Sequence, residues 1–134
     1  MSVERAIYER LSTTSGVTAL VGTRITPDTR AQGGNLPAIV YGVNSEEAIN
    51  ALLSKVASRA EIEVLAISST KASAVAIGSA VVESLDRYFV TTAFVRILQS
   101  IHLRSVGQYL PPSAGESVGM FTQTSVFGVI YEKV

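Results

Sequence analysis

Apolar residues recur along this chain with two different periods. In "SVERAIYERLSTTSG", Val3, Ile7 and Leu11 are spaced four apart and Ala6 widens the stripe, which predicts an amphipathic helix. Ser2 is placed to cap it, Glu4 suits the positive end of its dipole, and the threonine pair with Gly16 is expected to end it. "SGVTALVG" predicts a short second helix, with Val17, Leu20 and Val21 apolar and Gly22 as the stop. The strongest helix is "STKASAVAIGSAVVESLDRYF". Ala74, Ile77, Val81 and Leu85 form its stripe, Thr70 can cap it, and small residues on its other faces allow close packing on a sheet.

Elsewhere the period is two. In "SRAEIEVLAIS", Ala60, Ile62, Val64 and Ala66 share one face and Glu61 and Glu63 the other, as in a half-buried strand. "AIVYGVN" (38–44) is apolar on both faces, as a central strand is. In "FVRILQSIHLRSV" the alternation sets Val95, Ile97, Ile101 and Leu103 against Arg96, His102 and Arg104. "MFTQTSVFGVIYEKV" predicts a last strand with Phe121, Phe127, Val129 and Tyr131 on one face. The intervening "GQYLPPSAGESVG" reads as a protruding hairpin loop, since adjacent prolines cannot sit inside a ladder. Residues 45–56, "SEEAINALLSKV", place Ile49, Leu52, Leu53 and Val56 at helical spacing behind Ser45, which predicts a helix over a loop. The order of elements gives an α+β fold in one domain, residues 1–134. It has a mostly antiparallel sheet of about four strands with helices on one face.

Composition sharpens this picture. The chain has 134 residues, enough for one domain with a sizeable core. Eleven basic and eleven acidic residues cancel, so no net charge draws it to nucleic acid or an anionic membrane. Charged residues are only 16% and the mean hydropathy is +0.34, so apolar surface is left over for a subunit interface. There is no cysteine, which excludes disulfides and thiolate metal sites. The N-terminus has no signal-peptide pattern, and no apolar run nears the ~20 residues of a membrane span. A soluble chain made in the cytoplasm is expected.

Candidate chemistry is sparse. The single histidine, His102, has no acidic residue near it in sequence to orient it as a general base, so a half-exposed strand residue is expected. Glu61 and Glu63 could bridge a cation, but a solvated face, or one meeting basic residues, is the ordinary reading. Gly33-Gly34 precede a strand rather than a helix N-terminus, the reverse of a phosphate cradle. No catalytic, cofactor or metal residue is assigned, and the chain is expected not to be an enzyme. Residues 87–115 hold three arginines and no acid. Arg96, His102 and Arg104 therefore suggest either a small nucleic-acid-binding face or a surface that contacts Glu61 and Glu63 across strands or subunits.

"TALVGTRITPDTRAQGGNLPAIVYGV", "RAEIEVLAISSTKASAVAIGSAVVESL" and the closing strand pair together resemble the tail-completion, or tail-terminator, family of long-tailed bacteriophages and related prophages. The resemblance spans about residues 5–105. It rests on a helix ending in an apolar stretch, a loop, a strand preceded by Leu36-Pro37, and a strand running into a helix. It implies a structural virion protein that caps the tail tube, ends its polymerisation and offers the head-attachment surface. It also implies a homo-oligomeric ring, commonly a hexamer, at the head-proximal end of the tail. The implied partners are the major tail tube protein and a head-completion or connector protein. DNA would pass through the lumen without sequence-specific binding, and no membrane is involved. Another head–tail connector or minor virion protein is the neighbouring alternative. The candidate assembly interface is Arg24, Arg30, Gln32, Arg96, His102, Arg104, Tyr109 and Leu110. Residues 27–35 are expected to form an arm that orders against a neighbour, with Arg24 and Arg30 making charge-assisted contacts.

Overall fold

The computed structural model describes residues 2–28, 36–51, 54–93, 95–112 and 119–133. Helices α1 (Ser2–Thr13) and α2 (Ser15–Val21) lead into a three-residue strand β1 (Ile25–Pro27). A long hairpin follows, β2 (Ala38–Ala51) and β3 (Ser54–Ser68), then helix α3 (Lys71–Leu85). The short β4 (Val90–Thr91) precedes a second long hairpin, β5 (Val95–Leu110) and β6 (Met120–Lys133). The strands form one six-stranded sheet in the order β1-β2-β3-β6-β5-β4. Only the β1–β2 pair is parallel. The α+β class and the mostly antiparallel sheet agree with the sequence. The strand count does not: four long strands carry two short ones at the edges, too brief to leave a period in the sequence.

All three helices pack on one face. The core joins Val3, Ile7 and Leu11 of α1, Val17 and Val21 of α2, and Ile77, Val81 and Leu85 of α3 to Ile62, Val64, Ile97, Phe127 and Val129 of the sheet. The predicted stripes of α1, α3 and β3 are all buried. The break between α1 and α2 falls at Thr14 rather than Gly16, which lies inside α2. Gly22 ends α2 at φ 61, a conformation only glycine adopts without strain, and its N–H reaches the Thr18 carbonyl at 2.8 Å. Arg10 fastens α1 to the end of α3. Its Nε donates to the Ser84 carbonyl at 2.8 Å and its guanidinium lies 4.4 Å from the Tyr88 ring centre.

Helix α3 lies close to the sheet because Gly78 has no side chain: a Cβ there would stand 2.6 Å from Gln123 Cγ. Its start is capped as the sequence suggests, the Thr70 hydroxyl accepting the Ser73 N–H at 3.2 Å. Thr70→Ala should therefore cost about 1 kcal/mol of stability. A urea titration reads this as a lower midpoint at unchanged slope. An unchanged midpoint would mean that the cap contributes nothing.

The helix expected over residues 45–56 is not found: residues 45–51 and 54–56 are strand, and 52–53 lie outside the described residues. Among the described residues the ladder continues from Ser45↔Glu61 to Ala51↔Ser54, so this segment closes the β2–β3 hairpin. Two register shifts, at Val43/Ser45 and Ile49/Asn50, break the alternation that would have marked a strand. The hairpin also runs past the rest of the sheet. β6 pairs with β3 only from Ser58 onward, and Ser58 pairs with Ala48, so residues 49–51 and 54–57 alone form a two-stranded tip. At the other end, β5 continues to Leu110 before the prolines stop it, so Tyr109 and Leu110 are strand residues rather than loop.

Candidate assembly surface

The sheet face opposite the helices is uncovered among the described residues. Register fixes which side chains share it. Arg96 pairs with Glu132, Ile101 with Gly128 and Arg104 with Val126, all out of phase with the core residues Phe127, Val129 and Tyr131. Ile101, Leu103 and Val106 are 40%, 52% and 57% exposed. The Leu103 side chain rests over Gly128, 3.4 Å from where a Cβ would be. Partly buried Leu65 and Ile130 and buried Val126 continue the apolar surface across β3 and β6.

Ion pairs border this surface. Arg104 donates to Glu61 at 2.8 Å, reaching over β6, and Arg59 donates to Glu47 at 3.0 Å. Arg96 pairs with Glu132. Asn44 donates to Glu63 at 2.8 Å. Of the residues expected to meet Glu61 or Glu63 across strands, Arg104 alone does so, within one chain, while Arg96 meets Glu132 instead. Each pair is substantially exposed, so each contributes at most about 1 kcal/mol and mainly sets where charge lies.

The strand alternation read from the sequence is wrong in phase here. Register shifts at Ile97/Gln99 and His102/Arg104 insert extra residues into β5. Ile101 and Leu103 therefore leave the side of Val95 and Ile97 and join Arg96 and Arg104 outside. His102 moves the other way. It pairs with Phe127 on the helix side, and the two ring centres are 5.5 Å apart.

The eight candidate interface residues thus separate. Arg96 and Arg104 lie on the uncovered face. Leu110, half-buried, pairs with Met120 at the end of the β5–β6 hairpin. Tyr109 stacks on Phe121 at 4.8 Å on the helix side. Arg24 donates from Nε to the Pro37 carbonyl at 2.7 Å, linking β1 to the start of β2. Arg30 and Gln32 lie outside the described residues, as does most of the expected arm at 27–35.

One contact has no signal in the sequence: His102 Nε2 lies 2.7 Å from Ser105 Oγ, with Ser125 Oγ 3.3 Å beyond. A hydroxyl on an imidazole is the first element of a nucleophile–base pair. The nearby carboxylate of Asp86 accepts the backbone N–H of His102 at 3.0 Å instead of orienting the ring. The contact therefore does not form a triad. Among the described residues no group of three or more His, Cys, Asp or Glu could hold a metal, and no helix is long and apolar enough to cross a membrane.

Three tyrosines on the helix side have raised pKa values. Burial raises Tyr41, Tyr88 and Tyr131 above the ordinary 10.0, with Glu4 adding to it at Tyr41 and Glu46 at Tyr131. These hydroxyls are protonated in both folded and unfolded chains below pH 10. Above it the unfolded chain ionises first, so stability is kept below pH 10 and falls as pH rises beyond it. Urea midpoints at about pH 9 and about pH 11 should show the drop, and Tyr131→Phe should make it shallower. An equal drop in that variant would assign the alkaline loss to other groups.

A family model described as Tail completion protein gp17 matches residues 5–106. No curated protein matches the chain. Among solved structures, the chain is similar to one in a structure described as "Virion of native gene transfer agent (GTA) particle". The TM-score is 0.72 over 96% of this chain and 92% of that one, at 18% identity. At that identity the likeness shows a shared fold.

Proposed function

The chain belongs to the tail completion protein gp17 family, and from that premise we propose that it caps the tail tube as a homo-oligomeric ring. A structural role in a phage-type tail follows from the family itself. The finer reading is that the ring sits at the head-proximal end, stops polymerisation of the tube protein and presents the surface on which the head docks. The observation that carries this reading is the family match over residues 5–106. The uncovered apolar face of β3, β6 and β5 supports it, because a small body that leaves Ile101, Leu103 and Val106 in water has a partner to cover them. A ring needs two different patches on each subunit that meet head to tail. Its lumen would pass DNA without reading its sequence. The arginines support this, since Arg96 and Arg104 are already paired with carboxylates.

Analytical ultracentrifugation over a range of concentrations, with and without tail tubes, tests the reading. A ring-sized species, free or formed on tubes, is expected. A chain that stays monomeric and does not sediment with tubes would overturn it.

A further inference from the structure

A β-sheet ends in a row of unpaired N–H and C=O groups, and folded chains usually blunt such edges. Among the described residues both edges of this sheet are only partly covered. β1 covers Ile39–Tyr41 of β2, and β4 covers Arg96 and Ile97 of β5. Past β4, the Arg87 N–H takes the Ser100 carbonyl at 2.6 Å and the Asp86 carboxylate takes the His102 N–H. Beyond the register shift at His102/Arg104, β5 has a strand neighbour on one side alone among the described residues. This open part, Ser105–Leu110, carries no charge and no proline, and it exposes Val106 and Tyr109. Among the described residues it is therefore an unguarded edge.

The opposite edge differs. The open part of β2, residues 44–51, runs from the body of the sheet onto the two-stranded tip and carries Glu46 and Glu47 with no basic residue. Ser105–Leu110 is uncharged, and Arg96 and Arg104 before it already pair with Glu132 and Glu61 of the same chain. Two β2 edges brought together would oppose glutamates, a repulsion that the uncharged β5 edge avoids. An edge paired with its own copy closes a dimer, whereas β2 against β5 is the head-to-tail contact a ring needs.

We infer that the open β2 edge of one copy, residues 44–51, adds as a strand to Ser105–Leu110 of the next, so that subunits join through backbone hydrogen bonds. This rests on the ring reading above and specifies how its subunits meet. β2 and β5 run antiparallel within one sheet, so continuing the sheet into the next copy makes the new pair antiparallel too. The open parts lie at diagonally opposite corners. Gly107 of β5 is level, through Gln123 and Ala66, with Ile39 under β1, whereas the open part of β2 begins at Asn44. Neighbours are therefore staggered by about 25–30 Å along the strands. In a closed ring such a stagger inclines the strands to the axis.

The cysteine-free chain makes disulfide trapping clean. Val106→Cys is combined in turn with Ser45→Cys, Glu47→Cys or Ile49→Cys, and oxidised in the presence of tail tubes. At least one pair should give a ladder of covalent oligomers, while each single variant stays monomeric on a denaturing gel. Ladders require Cα atoms within about 7 Å, so diffuse proximity does not produce them. A covalent dimer from Val106→Cys alone would overturn the inference in favour of β5 meeting β5. No ladder from any pair, with the unaltered chain still capping tubes, would overturn it and leave the tail role intact. An unaltered chain that neither caps tubes nor forms rings would remove both.

Discussion

A chain carrying glutamate at both Leu103 and Val106 should fold normally and fail to join a tail. Both side chains are more than half exposed on the sheet face that no helix covers, so their replacement leaves the core untouched. Surface changes of this kind shift stability by about 0.5 kcal/mol or less, with somewhat more lost where Leu103 leaves Gly128. The effect on association is of another size. Two apolar side chains that become buried against a partner contribute about 1.5–3 kcal/mol each. Placing two unpaired carboxylates there adds a desolvation cost of at least similar size. Binding should fall by more than a thousandfold, on the order of 4 kcal/mol or more. The readouts are a thermal melt and co-sedimentation with tail tubes. A variant that melts as the parent does and still pellets with tubes would show that this face is not an interface.

Phe127→Ala should do the opposite, damaging the fold first and assembly only through it. Phe127 is the largest fully buried side chain of the core. It stands in β6 between Ile62 of β3 and His102 of β5 and faces the helices. Removing a buried phenylalanine ring costs about 3–5 kcal/mol, since the cavity left behind collapses only in part. Against a typical stability of about 5–15 kcal/mol, that is a large share of the whole. The urea midpoint should fall steeply, and Phe127→Leu should recover most of it. A loss below about 1 kcal/mol would mean that the ring is not the keystone its burial implies.

How much of this was legible in the sequence depends on whether an element kept its period. The stripes Val3-Ile7-Leu11 and Ala74-Ile77-Val81-Leu85 are unbroken, and both were read correctly together with the Thr70 cap. Ala60, Ile62, Val64 and Ala66 of β3 alternate without a shift, and all four are core. Elsewhere inserted residues defeated the reading. In β5 two register shifts moved Ile101 and Leu103 out of the core and His102 into contact with Phe127, so the phase predicted from the sequence puts the uncovered face on the wrong side. In β2 two more shifts, with Ile49, Leu52, Leu53 and Val56 at helical spacing, disguised a strand as a helix. A bulge has no composition of its own. It shows only once the partner strand is known, because the ladder, not the sequence of the bulged strand, says which residue is extra. The short strands β1 and β4 were missed for a related reason. Three and two residues are fewer than one alternation can mark, and their pairing depends on neighbours distant in sequence.

The tail role is tested most directly by electron micrographs of tails assembled with this chain, labelled with a gold cluster, and without it. The expected result is label at one end of each tail, on a ring, and tubes of unregulated length when the chain is left out. Label spread along the tube, or tails of the same length and ending with and without the chain, would contradict it.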